Sequence, residues 1–239
     1  MHFLGDKSNP QTCRWHAFKS TTELEQTLVA KILWIAQQAI DKKGSFHVVL
    51  AGGSTPKKIY ESLRGAKADW NAWHVYYGDE RCLPVDHAER NSRMASSVWL
   101  DHVAIPAQQI HPIPAEEDVI VAAAKYAQLV KNIEFFDLVL LGLGEDGHTA
   151  SLFPEHDPGD SQDAPETMII MDAPKPPPQR ISLSARRLSK THLLFFIITG
   201  INKSRAVKDW RSGVNIPATT VTPKNGVDIY IESALVETG

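Results

Sequence analysis

An aspartate and a histidine two positions apart, Asp146 and His148, stand among Gly142, Gly144 and Gly147 in the run Leu141-Gly-Leu-Gly-Glu-Asp-Gly-His-Thr-Ala-Ser-Leu-Phe-Pro154. A neutral imidazole is the side chain best matched to proton transfer near neutral pH, which makes His148 a candidate general base and Asp146 a candidate orienting group. The glycines let the backbone turn sharply and approach a ligand closely. Two other clusters offer different chemistry. In Ala51-Gly-Gly-Ser-Thr-Pro-Lys-Lys58, backbone N–H groups can converge on one point while hydroxyls add donors. Gly52, Gly53, Ser54 and Thr55 are therefore a candidate phosphate cradle at a helix start, with a plain tight turn as the alternative. In Gly78-Asp-Glu-Arg81, the charged residues Asp79, Glu80 and Arg81 follow an apolar stretch. A guanidinium there can pair with phosphate or stabilise a developing oxyanion; a solvated loop with an internal ion pair is the alternative.

Several other chemistries lack their residues. The glycine turn at 52–55 is neither a P-loop nor a dinucleotide loop, and Ser151 has no nucleophile elbow around it. His148, His156 and Asp157 lack metal-ligand spacing and no cysteine joins them, so neither a metal nor a cofactor is expected. Cys82 has no histidine placed to activate it and reads as a small packing residue. The chain has 239 residues and a net charge of −3, which points to neither nucleic acid nor a membrane as partner. Two cysteines form no disulfide framework, residues 1–10 lack the pattern of a secretory signal, and the apolar run at 192–199 is strand-sized. A cytoplasmic protein is the expectation.

These residues need elements to hold them. The apolar run at 138–141 has the pattern of a strand buried on both faces, with the histidine loop at its carboxyl end, where open α/β sheets bind ligands. Ser20-Thr-Thr-Glu23 resembles a capping box and predicts a helix to Lys43, with Leu24, Leu28, Ile32, Ile35 and Ala39 on one face and Gly44 ending it. Further helices are predicted over 56–63, 91–100, 116–131 and 200–210. Strands are predicted over 46–51, 72–77, 168–171, 180–183, 192–198 and 227–231. The alternation implies an α/β, Rossmann-like open sheet, mainly parallel, with helices on both faces. Residues 1–239 read as a single domain, with room for a small accessory lobe. The loop at 155–165 and the proline run at 174–178 are too short to be interdomain linkers.

The blocks Leu50-Ala-Gly-Gly-Ser-Thr-Pro-Lys-Lys-Ile-Tyr60, Tyr77-Gly-Asp-Glu-Arg81, Glu89-Arg-Asn-Ser-Arg-Met94 and Leu141 to Pro154 together resemble the 6-phosphogluconolactonase family. Pro178-Gln-Arg-Ile-Ser-Leu183 and Thr199-Gly-Ile-Asn-Lys203 are weaker matches in the same order. The Asp-Gly-His loop also resembles that of glucosamine-6-phosphate deaminases of the same fold, which continue into an Asn-Glu-Pro segment and carry an aromatic residue after their Asp-Glu pair. Here Ser151-Leu-Phe-Pro154 and Arg81 stand at those places, which favours the lactonase. Glu155 stands where that family commonly has glycine.

The resemblance implies hydrolysis of 6-phosphoglucono-δ-lactone to 6-phosphogluconate in the oxidative pentose phosphate pathway. His148 would activate water, Asp146 would orient His148, and Arg81 would stabilise the oxyanion. Gly52 to Thr55, Asp79, Arg180 and Lys203 would bind the substrate and its phosphate. The expected partner is this small molecule, with the chain a monomer or small homo-oligomer. The rivals are a sugar-phosphate deaminase or isomerase of the same fold and a non-catalytic sugar-phosphate sensor.

Overall fold

The computed structural model describes residues 11–237, so the expectation drawn from residues 1–10 lies outside the described residues. The chain begins with β1 (Cys13–Phe18), α1 (Thr21–Lys43), β2 (Phe46–Leu50), α2 (Ser54–Leu63) and β3 (Trp73–Tyr77). It continues through β4 (Asp79–Arg81), α3 (Asn91–Val98), α4 (Val119–Lys131), β5 (Phe136–Leu141), β6 (Thr167–Ile170) and β7 (Arg180–Leu183). The last elements are α5 (Ala185–Ser189), β8 (Thr191–Ile198), α6 (Ser204–Arg211), β9 (Val227–Glu232) and α7 (Ala234–Glu237).

The longest helix follows its sequence signals. Ser20 accepts the Glu23 N–H on its side chain at 3.2 Å, and Gly44, at φ +80°, donates its N–H to the Ile40 carbonyl at 2.7 Å. A side-chain N-cap contributes about 1 kcal/mol, and Lys42 and Lys43 complement the negative helix end. Leu24, Leu28, Ile32 and Ile35 are buried as one stripe, while Ala39 is only partly so and Ala36 completes the face.

Six strands form one fully parallel sheet in the order β1-β9-β8-β5-β2-β3. Successive side chains on a strand point to opposite faces, yet Val48, Val49 and Leu50 are all buried, as is every residue of β5, so both faces of the sheet are covered. β4, β7 and β6 pair antiparallel as a separate small sheet, which is the accessory lobe. From β2 the chain crosses to β3 on one side, whereas from β5 it passes to β8 on the other. The neighbouring strands β2 and β5 thus flank the point where strand order reverses, and a crevice opens at their carboxyl ends.

Several boundaries differ from expectation for identifiable reasons. The helix predicted from Pro56 starts two residues earlier at Ser54, and the one predicted from Glu116 starts at Val119, because Asp118 accepts the Ile120 and Val121 N–H groups at 3.0 and 3.2 Å. The segment 200–210 is not one helix: a short 3-10 turn at Ile201–Lys203 precedes α6. Asp79–Arg81 is a strand of the small sheet rather than a loop. β1 and α5 had no clear signal, the first being a half-exposed edge strand and the second barely longer than one turn.

Candidate active site

The crevice holds a cavity of about 330 Å³. Its walls come from the ends of β2 (Gly52, Gly53), β3 and β4 (Gly78, Asp79, Arg81) and β5 (Gly142, Gly144, His148), with Arg180 and Lys175 added by the small lobe and Lys203 by the turn before α6. Seven residues far apart in sequence, Gly52, Gly53, Asp79, Arg81, His148, Arg180 and Lys203, are therefore brought together as expected. Asp146 stands behind His148. Ser54 and Thr55 do not reach the cavity wall; the Thr55 hydroxyl lies 2.6 Å from that of Thr199.

The histidine loop is tightly built. Gly144 donates to the His148 carbonyl at 2.7 Å, and Gly147 folds back onto the Gly144 carbonyl at 3.2 Å. Gly147 has φ +84° and lies against Ile216, so a side chain has neither the backbone geometry nor the space there. Asp146 Oδ1 meets His148 Nδ1 at 2.5 Å and also accepts the His148 backbone N–H at 3.2 Å. Burial raises the Asp146 carboxyl, but the hydrogen bond and charge of His148 outweigh it and bring it down to about 2. An ionised carboxylate can only accept, so in the neutral ring the tautomer that suits this contact carries its proton on Nδ1 and presents the Nε2 lone pair. The ring packs against Phe153 with centroids 4.8 Å apart.

The Asp79-Glu80-Arg81 segment is not a solvated loop. Glu80 is fully buried and accepts the Asn91 and Ser92 N–H groups at 2.7 and 2.9 Å and the Ser92 hydroxyl at 2.6 Å. It thereby caps the start of α3, where a carboxylate is favoured, with Arg90 Nε 3.5 Å away. Asp79 accepts the Ser151 hydroxyl at 2.6 Å and the Asn91 side-chain amide at 3.0 Å. Ser151 is thus a buried structural hydroxyl, and burial pushes the Cys82 thiol up, away from thiolate reactivity. Arg81 donates through Nη1 to the Glu89 carbonyl, while its buried Nε has no hydrogen-bond partner among the described residues.

Asn91 and Lys175 line the cavity without having been singled out. Asn91 touches the place where a Gly52 side chain would be: a Cβ there would lie 2.0 Å from Asn91 Oδ1. The glycine at 52 is thus required by close approach of α3, a tertiary contact with no local signal. Among the described residues no group of three His, Cys, Asp or Glu side chains is arranged to hold a metal ion, and no helix is long and apolar enough to cross a membrane.

Residues 19–230 match the family of glucosamine-6-phosphate isomerases and 6-phosphogluconolactonases. A 6-phosphogluconolactonase of a Nostoc strain is 38% identical over 205 residues, covering 79% of this chain and 84% of that protein. One from a Synechocystis strain is 36% identical over 197 residues, covering 77% and 78%. The crystal structure of 6-phosphogluconolactonase from Thermotoga maritima superposes with a TM-score of 0.85 at 26% identity, over 92% of this chain and 100% of that one.

Proposed function

The chain belongs to the glucosamine-6-phosphate isomerase/6-phosphogluconolactonase family, and we propose that its cavity hydrolyses 6-phosphoglucono-δ-lactone to 6-phosphogluconate in the oxidative pentose phosphate pathway. The observation that carries this is the Asp146–His148 pair on the wall of a cavity that also holds Arg81, Arg180 and Lys203. A lactone is an activated ester, so an oriented base and water suffice for attack. Water adds to the carbonyl carbon as its proton passes to His148 Nε2, giving a tetrahedral oxyanion. Arg81, with an unpaired buried Nε, is suited to stabilise that oxyanion. Collapse breaks the bond to the ring oxygen, which leaves as a hydroxyl with the proton from the imidazolium. Asp146 fixes the tautomer throughout.

The phosphate would sit near Gly52 and Gly53, at the positive start of α2, with Lys203 as a cation. Burial lowers the Lys203 ammonium, and Lys175 lowers it further against the opposing effect of Glu145. A phosphate dianion beside it would restore its proton affinity. The unpaired Cys13 and Cys82 fit the cytoplasmic setting expected of such an enzyme.

The test is a coupled assay with freshly generated 6-phosphogluconolactone, corrected for spontaneous hydrolysis. Turnover should fall by roughly two or more orders of magnitude in His148→Ala. Arg81→Lys should lower kcat more than it weakens binding of 6-phosphogluconate. Failure of the wild type to accelerate hydrolysis, or release of ammonia from glucosamine 6-phosphate, would overturn the proposal.

A further inference from the structure

A strand at the rim of a sheet leaves alternate backbone N–H and C=O groups without a partner, and natural sheets guard such rims with charge, proline or a covering segment. The described residues form two open sheets, one bounded by β1 and β3, the other by β4 and β6. All but the last of these edges are guarded. β1 carries Arg14 and His16, both of which bind Asp228. Beside β3, Ile110 bridges Val75, and His111 donates its N–H to the Val75 carbonyl at 2.8 Å. β4 is the charged run Asp79-Glu80-Arg81, with the start of α3 folded onto Glu80.

β6 has no such protection. From Thr167 to Met171 the chain reads Thr-Met-Ile-Ile-Met, with neither charge nor proline. The pairing fixes which backbone groups face outward. Leu183 donates to the Gly78 carbonyl at 2.7 Å and Cys82 to the Gln179 carbonyl at 3.0 Å, so the odd positions of β7 face β4. Ser184 donates to the Glu166 carbonyl at 3.1 Å, so the even positions face β6. Directions alternate along an antiparallel ladder. Met168 and Ile170, opposite Ser182 and Arg180, therefore bond to β7, while the N–H and C=O groups of Thr167 and Ile169 point off the edge.

The edge is open only in its middle. At one end α4 closes it, since the Thr167 hydroxyl donates to the Ala123 carbonyl at 3.1 Å and Thr167 is buried. Past Asp172 a proline-rich strap at 173–178 ends the strand. Ala173 closes the strap by donating to the Pro178 carbonyl at 3.0 Å, and Arg180 Nη2 holds the Lys175 and Pro176 carbonyls at 3.0 and 3.2 Å. Between these stops Ile169 and Met171 are 40% and 51% exposed, and the first turn of α4 exposes Ile120 and Val121.

Such a strand is complementary to itself. When two copies meet antiparallel about a two-fold axis beside an outward-facing residue, its N–H and C=O meet the C=O and N–H of the same residue in the other copy. We propose that β6 is the interface of a two-fold dimer of this chain, in which Ile169 pairs with Ile169 of the second copy and the two small sheets join into one. Main-chain hydrogen bonds hold the pair, and Ile169 and Met171 leave water. The register brings Glu166 opposite Asp172 of the second copy, but each carboxylate is already paired within its own chain. Glu166 has Arg186 and Arg187 at 3.1 and 3.3 Å, and Asp172 has His156 at 3.1 Å. The dimer does not rest on the lactonase reading, since none of Thr167, Ile169 and Met171 lines the cavity.

Sedimentation velocity over a rising concentration series should show the wild type moving from the monomer mass to the dimer mass. Ile169→Lys and Ile169→Glu each set like charges against one another across the axis and should weaken dimerisation roughly tenfold or more. Mixing the two variants should restore a dimer, because the charges then attract; only the Ile169–Ile169 register predicts this. Trp34→Lys, a change to an exposed indole on α1, should leave the masses as in wild type. Thermal melts check that each variant folds, and Met171→Lys replaces any Ile169 variant that melts early. A wild type that stays monomeric throughout overturns the proposal, as do Ile169 variants that dimerise normally or a mixture that stays monomeric. A dimer lost in Trp34→Lys but kept in Ile169→Lys overturns it as well. Lactone hydrolysis, measured on the same samples, tests the reading of the cavity separately.

Discussion

Gly144→Ala should disable the histidine without touching it. Gly144 is not among the residues with positive φ, so alanine suits the backbone there and the effect is purely one of space. A Cβ built at this position lies 2.0 Å from His148 Nδ1, 2.2 Å from its Cε1 and 2.6 Å from Asp146 Oδ1. Ordinary contact begins near 3.4 Å, so the imidazole must retreat by about 1.4 Å. The Asp146–His148 hydrogen bond, now 2.5 Å, cannot survive such a shift in line with the displacement. A misplacement of about 1 Å can cost ~10²-fold in rate, and loss of the aligned base costs ~10²–10⁴-fold. The expected outcome is therefore a kcat roughly two orders of magnitude below wild type. The His148 side chain is 20% exposed and can swing outward, so the melting temperature should change little. Steady-state kinetics on 6-phosphogluconolactone beside a thermal melt would measure both. A variant that folds normally and retains kcat within about threefold of wild type would refute the claim that the observed imidazole position is the working one.

Asp146→Asn offers the imidazole an amide donor in place of an acceptor, which favours the tautomer with Nε2 protonated. Its kcat should drop by about two to four orders of magnitude with KM little changed, and a large KM effect instead would assign Asp146 to binding. Glu155 is exposed with φ +66°, a left-handed conformation that costs a side-chain-bearing residue about 1 kcal/mol. Glu155→Gly should raise unfolding stability by up to ~1 kcal/mol in urea titration, and destabilisation would contradict the strain argument. The His47 ring is stacked 4.5 Å from His74, which faces His111 in turn, and burial first, then the charges of His74 and Lys43, lower it to about 4, while Asp137 opposes them. Because the unfolded chain takes up the proton more readily, stability present above about pH 6.5 should be lost as pH falls toward 4. For a partly solvated ring this amounts to ~1–2 kcal/mol, and His47→Gln should flatten that acid limb of the stability profile.

How far the molecule is legible in its sequence depends on the range of the interactions involved. α1 is legible because its cap, its apolar stripe and its terminating glycine all act within a few residues. β5 is legible because a strand covered on both faces must be apolar throughout. β1 is not, since an edge strand that buries only part of each side chain mixes Arg14 and His16 with Trp15 and Ala17. Glu155 is an intermediate case. Its departure from glycine is visible in the sequence, and its φ of +66° supplies the physical reason why glycine suits that place.

The same rule decides which functional residues could be found. Gly52 and Gly53 follow β2, Arg81 follows β3 closely, and His148 sits in the loop that leaves β5, and a parallel sheet brings those strand ends to one edge whatever the details of packing. Glu80, Asn91 and Lys175 obey no such rule. Glu80 shows its role only when the start of α3 folds back onto it, eleven positions later in the case of the Asn91 N–H. Lys175 reaches the cavity only because β6 and β7 pair antiparallel across from β4 and Arg180 pins the strap between them. The sheet edge is written in local patterns, whereas the lobe that completes the cavity is written in contacts between distant residues. The lobe side of the cavity wall, Lys175 included, is therefore the part of the site that local sequence patterns were least able to reveal.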